Sequence, residues 1–157
     1  MSAAHKRHSK TASGAIVNRR ARFDYTLEDE ITTGIVLTGP EVRAARDGRV
    51  QLKGAFVTIR NNELWLNNAS FSLVLNQKGA EATTVDTSAR KLLAHRRQIE
   101  QLESAKQAGH TIVPLRLLNR GRHVKVVIAA GRGKKNYDKR QTIKARDQAR
   151  DINRQKF

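Results

Sequence analysis

The chain has 157 residues, 38% of them apolar, and carries 31 Lys and Arg against 14 Asp and Glu, for a formal charge of +17 and an isoelectric point near 11.2. That length suits one domain with tails, and so large a positive excess points to a polyanion binder rather than an ordinary metabolic enzyme. The lack of cysteine excludes a disulfide frame or thiolate metal site, and neither a membrane-length apolar run nor a signal-peptide core appears, so a cytoplasmic protein is expected.

The charge is polarised. Residues 1–22 hold six basic and no acidic side chains, and residues 131–157 hold ten basic against three acidic, so basic ends flank a nearly balanced body. Residues 1–17 have no hydrophobic period and read as a mobile basic arm. Structure is expected to begin at Asn18-Arg19-Arg20-Ala21-Arg22. Phe23, Tyr25 and Leu27 alternate with polar residues, Glu28-Asp29-Glu30 reads as an acidic turn, and Ile31, Thr33, Ile35 and Leu37 alternate again, which predicts two strands. Thr38, three residues ahead of Glu41, with Pro40 in the first turn and Gly48 as a stop, predicts a short helix presenting Arg43, Arg46 and Arg49. Ala55, Val57 and Ile59 alternate up to Asn61-Asn62, a pair suited to a tight hairpin turn, after which Leu64 and Leu66 continue with Trp65 opposite. Phe71, Leu73 and Leu75 form a further strand, and Asn76–Thr87 reads as a polar loop.

Ser88–Ala108 has the longest helical pattern, with Leu92, Ile99 and Leu102 on one side and Gly109 as a stop. A closing hairpin follows: Val113, Leu115 and Leu117 alternate, Asn119–Arg122 turns, and Val124, Val126 and Ile128 alternate. Pro114 suggests an edge strand. The sum is a mainly β domain over 18–130, a small antiparallel barrel of the oligonucleotide-binding type with one short and one long helix. Residues 131–157 form a basic tail. Wound as a helix it would place Lys139, Arg146, Arg150 and Arg154 in one stripe with no apolar face to bury, so it is expected to be disordered when free and to order against a polyanion.

Catalytic patterns are missing. Gly131-Arg132-Gly133-Lys134 follows a strand, but Ile128 and Lys135 stand where a phosphate loop needs Gly and Ser or Thr. No Gly-x-Ser-x-Gly frames a serine. His5 and His8 have helical spacing but no third ligand nearby, and His95, His110 and His123 have no acidic neighbours in sequence, so no metal, cofactor or catalytic residue is assigned. The basic clusters at 19–22, 43–49, 90–97 and 132–140 recur between apolar segments instead, where one RNA-facing side would collect them. With only 4% aromatic residues, recognition is expected to rest on phosphates and shape, with Tyr25 and Tyr137 as the rings placed to stack.

Five segments stand out together: Asn18–Arg22 with Tyr25, Gly34–Arg43, Arg90–Arg97, Val113-Pro114-Leu115, and Gly133-Lys134-Lys135-Asn136-Tyr137-Asp138-Lys139-Arg140. Jointly they resemble the SsrA-binding protein (SmpB) family, partner of transfer-messenger RNA (tmRNA) in bacterial ribosome rescue. The resemblance implies a protein, monomeric when free, whose barrel grips the tRNA-like domain of tmRNA through Asn18, Arg19, Arg20, Arg22, Tyr25, Arg43, Arg46, Arg90 and Lys91. It implies a tail that enters the decoding centre and vacant mRNA channel of a stalled ribosome through Lys134, Lys135, Tyr137, Asp138, Lys139, Arg140, Lys144, Arg146, Arg150 and Arg154. Thr32 stands where the family usually has an acid, Val85–Ser88 where Asp-Pro-x-Arg is common, and Arg43-Ala44 where Lys-Ser is usual. A ribosomal protein would share the charge and the barrel, whereas a hydrolase would need a cluster this sequence does not display.

Overall fold

The computed structural model describes residues 15–77, 79–119 and 121–155; residues 1–14 of the arm expected over 1–17 lie outside the described residues. Alternating apolar positions generate an antiparallel ring. Strand β9 (Thr111–Leu118) pairs with β10 (Lys125–Gly133), β10 with β2 (Tyr25–Ile35), β2 with β8 (Arg90–Leu93), β8 with β5 (Glu63–Asn67) and β5 with β4 (Phe56–Arg60). The ring shuts where Val57 of β4 meets Ile112 of β9. Farther along the same edge of β9, β1 (Ala15–Val17) pairs with Arg116–Leu118. A smaller sheet of β3 (Val50–Gln51), β6 (Ser70–Gln77) and β7 (Ala80–Asp86) is covered by helix α2 (Gly39–Arg46), whose Ala44 and Ala45 are fully buried.

Leu64, Leu66, Phe71, Leu92, Ile112, Leu117, Val126 and Ile128 belong to the main core, joined by Leu102 from α3 (Arg96–Gln107). The outward residues of the closing hairpin, Val113, Leu115, Val127 and Ala129, form a second cluster with Ala21 of α1 (Arg19–Asp24), flanked by Tyr25 and Leu27. Covered on both faces, β9 and β10 are nearly continuously apolar, as buried strands must be.

Two local readings hold in detail. Helix α2 starts at Thr38, whose backbone N–H donates to Glu41 Oε2 at 3.2 Å, and Gly48 follows with φ +73°. Asn61 and Asn62 turn the β4–β5 hairpin with φ 50° and 59°, the left-handed pair a two-residue loop requires.

Other expectations are corrected. Ala15–Val17, inside the segment assigned to the arm, is a strand, because β1 extends along the edge of β9. Phe23 is helical, and Glu28-Asp29-Glu30 is no turn. It lies within the 11-residue β2, where the register with β10 slips by one residue and the acids find partners: Glu28 Oε1 lies 2.6 Å from His110 Nδ1 and Glu30 Oε2 lies 2.7 Å from Arg116. The polar stretch over 76–87 is mostly β7, which pairs along the whole of β6 while keeping Glu81–Val85 exposed. The long helix starts later than predicted: Arg90–Leu93 is a strand with period-two burial, paired through Leu92 to Leu64 and Ile35, and His95 is the N-cap of α3.

Pro114 is not on an edge. The β9–β10 register slips between Val127 and Ile128, and Asn18 fills the gap on the other side of β9, between its pairings with β4 and β1. There the Asn18 backbone N–H donates to Leu115 O at 2.8 Å, and its side chain donates to Pro114 O at 2.9 Å and Leu52 O at 3.2 Å. Proline lacks the N–H that would continue a ladder, so a side-chain amide joins the edges instead.

The tail boundary moves as well. Strand β10 runs through Gly133, into the segment read as tail, and Asn136–Gln155 beyond it is a 20-residue helix, α4, with no buried residue. Gly131 and Gly133 lie within β10. Gly131 sits in a tight place: a Cβ there would lie 3.1 Å from Leu27 Cδ2, 3.1 Å from the Tyr25 Cβ and 3.2 Å from Thr26 O, so its neighbours would have to give by a few tenths of an ångström.

Candidate nucleic-acid interface

The nineteen residues singled out from the sequence fall into three physical groups. Two are internal. Asn18 is buried and committed to the seam beside Pro114. Arg90 is 4% exposed; its guanidinium lies 3.9 Å from the Phe71 ring centroid, 3.3 Å from Glu41 Oε2 and 3.7 Å from Asp86 Oδ1, and it donates to the carbonyl of Ser88 at 2.7 Å. A cation so enclosed has little left to offer a phosphate. It joins α2, β6 and the β7–β8 turn instead. Asp86 anchors that turn: hydrogen bonds from the Ser88 hydroxyl and backbone N–H hold its carboxyl below the ordinary value against the opposing effect of desolvation, with the charge of Arg90 a lesser contribution.

A second group is at the surface but engaged. Arg20 lies 3.2 Å from Asp24 and over the Phe23 ring, and Arg22 lies 2.9 Å from Glu30 Oε1. Half-buried Lys91 pairs with Glu63 at 2.8 Å, and Arg46 donates to the carbonyls of Asn119 and Arg122. Tyr25 is half-buried against the second core cluster, which leaves only part of its ring to stack.

The third group is exposed and, among the described residues, without an acidic partner within ion-pair distance: Arg19, Arg43, Lys135, Arg140, Lys144, Arg146, Arg150 and Arg154. Most of it lies on α4. Tyr137 is 69% exposed, its hydroxyl accepting from Gln141 Nε2 at 2.7 Å, and Asp138 O accepts from the Thr142 hydroxyl.

Helix α4 is set by α1. The Lys134 backbone N–H donates to Asp24 O at 2.8 Å and its Nζ to Arg22 O at 3.1 Å, so the first tail residue caps the C-terminal carbonyls of α1. Lys139 Nζ then lies 3.3 Å from Asp24 Oδ1. Asp24 and Glu30, which organise these cations, were not singled out in the sequence. The one available signal was that Asp24 is the first acid after a run of arginines; nothing in the sequence set Glu30 apart from Glu28 and Asp29.

The model of the SmpB protein family matches residues 15–156. The chain belongs to the SmpB family. It is 41% identical over 155 residues to an SsrA-binding protein of Lactiplantibacillus plantarum, covering 98% of this chain and 97% of that one. It is 45% identical over 138 residues to an SsrA-binding protein of a Roseiflexus species, covering 87% of each. A solved structure described as "tmRNA-SmpB: a journey to the center of the bacterial ribosome" superposes with a TM-score of 0.61 at 33% identity, covering 83% of this chain and 94% of that one. Within this SmpB-family chain, Thr32 is exposed on β2, and the segment Val85–Ser88 forms the turn that supports Arg90.

Proposed function

We propose that this protein is a cytoplasmic RNA-binding partner of tmRNA that delivers it to stalled ribosomes, acting by binding rather than by catalysis. The observation that carries this reading is α4: a 20-residue helix with six Lys or Arg, no buried side chain and a fixed point of departure at α1. A helix that contributes nothing to the core has its use outside the molecule. SsrA-binding relatives and the tmRNA–SmpB structural neighbour supply the partners.

In this reading the tRNA-like domain lies against the barrel, held through Arg19, Arg20, Arg22, Tyr25, Arg43, Arg46 and Lys91, with Asn18 and Arg90 shaping the surface from within. The tail enters the decoding centre and vacant mRNA channel, where Lys134, Lys135, Lys139, Arg140, Lys144, Arg146, Arg150 and Arg154 neutralise phosphates and Tyr137 stacks. Occupied channels exclude it, which selects stalled ribosomes without chemistry. Free in solution, with α1 holding only its first turns and no side chain of the helix buried, the tail frays toward disorder from its far end. Asp138 sits in the first turn of α4, where a carboxylate favours the helical form.

The test separates the two halves. Truncation after Lys135 keeps β10 and the Lys134 cap intact; it is expected to retain preference for the tRNA-like domain over tRNA across a salt series, yet to abolish tagging on stalled ribosomes. Equal, steeply salt-dependent binding to every RNA would sink the reading and favour a ribosomal protein.

A further inference from the structure

The stripe of α4 that faces the body does not face neutral surface. Between α1 and α4 runs an open groove of about 710 Å³ into which Arg19, Arg20 and Arg22 from one side and Arg146 and Arg150 from the other all contribute. Arg20 and Arg22 have acidic partners, whereas Arg19, Arg146 and Arg150 have none among the described residues. Like charges this near one another lie within a Debye length and repel, and the Asp24–Lys139 pair compensates at one end of the helix only. An anion between the two walls reverses the sign of that interaction.

The floor narrows the choice of anion. Val17 is 57% exposed, Ile143 is 46% exposed, and the Phe23 ring lies beneath the Arg20 guanidinium with 5.1 Å from its carbon to the ring centroid. Apolar side chains and an aromatic face between two rows of cations match the pattern of sites that track a nucleic-acid strand by its phosphates while stacking its bases. A duplex keeps its bases inside and would leave that floor unused.

We propose that the α1–α4 groove is a binding site for a single-stranded RNA segment, its phosphates on Arg19, Arg146 and Arg150 and its bases against Phe23 and Ile143. Asp24 is a positioning residue: its carboxylate and carbonyl hold Lys139 and Lys134, and through them the angle at which α4 meets α1. The inference deepens the RNA-binding reading and rests on it. It makes body and tail two walls of one site, so a bound strand would hold the tail against α1.

The test uses the full chain and a short fluorescent oligoribonucleotide, with the tRNA-like domain of tmRNA measured on the same preparations. Replacing Arg146 and Arg150 by Ala is expected to weaken oligonucleotide binding about tenfold and to lower the slope of log K against log salt by about 1.4, from about 0.7 per phosphate contact. The charge-matched pair Arg60→Ala with Lys106→Ala, exposed, away from the groove and outside every surface placed on RNA above, is expected to change it less than about twofold. Ile143→Ala should weaken binding several-fold with an unchanged salt slope, since it removes only apolar contact. Asp24→Asn should weaken it too, with circular dichroism of the body unaltered. Equal losses from the two basic pairs would overturn the groove in favour of a featureless polycation, as would displacement by an acidic peptide as effective as by RNA. If the tRNA-like domain binds and the oligonucleotide does not, the groove fails and the function stands; if neither binds, both fail.

Discussion

The barrel around Arg90 and the helix around Arg146 hold the same kind of cation under opposite conditions. At Arg90 the guanidinium is packed on Phe71 and surrounded by Glu41, Asp86 and three carbonyls, so its charge is used to join elements of the fold. At Arg146 no ion pair restrains the side chain among the described residues, and none of α4 is buried. Number of arginines is therefore a poor guide to RNA affinity in this chain. What separates a structural from an available cation is whether its solvent has already been replaced by protein.

The contrast can be broken most sharply at Arg90. Arg90→Met leaves the Glu41 carboxylate, only 12% exposed, without its partner, and should cost about 3–5 kcal/mol in a urea unfolding curve. Arg146→Ala should stay within about 0.5 kcal/mol in the same assay. Near-equal costs would mean that α4 is integral to the fold. A smaller effect is expected at the barrel seam. Asn18→Ala removes the side-chain donor to the Pro114 carbonyl, while Leu52 O keeps the Ala55 N–H, and should lower stability by about 1–3 kcal/mol, with hydrogen exchange quickening in β1 and β9 before the rest of the barrel. The smallest is at Asp86. Its folded-state pKa is depressed, so its contribution is present above the ordinary carboxylate range and lost as pH falls through the lowered value. Asp86→Asn should therefore be modestly less stable than the parent at neutral pH, and the two unfolding curves should converge in acid. A gap that persists in acid would assign the effect to the turn's shape rather than to its charge.

Much of this was legible in the residues. Thr38, Glu41 and Gly48 specify α2 through contacts within one turn, and Asn61-Asn62 specifies a hairpin through its own backbone preference. The alternation in β4, β5, β9 and β10 gave the ring. What escaped was set by partners distant in the chain. Glu28 to Glu30 look like a solvated turn until His110 and Arg116 are beside them. Arg90 looks like a surface cation until Phe71 and Glu41 close over it. Lys91 and Leu92 lie in a segment with a helical pattern, but β2 and β5 supply ladder partners on both sides. In the candidate site the tail's basic stripe was visible as periodicity, whereas its α1 wall depended on where α4 departs, which Asp24 and Lys134 decide.

The pairing of β2 with β10 bears on how the protein is made. Tyr25 to Gly34 find their ladder partners in Lys125 to Gly133, near the other end of the chain, while β8 covers only Gly34 and Ile35. A nascent chain that has emerged only as far as α3 thus presents most of an 11-residue strand with unpaired backbone, a template for association with other chains. Ring closure has to wait until β10 has been translated, and pairing across so long a sequence separation is expected to form slowly. A product interrupted before β10 is expected to be handled by chaperones and proteases as an open sheet, with no partial RNA-binding activity to salvage.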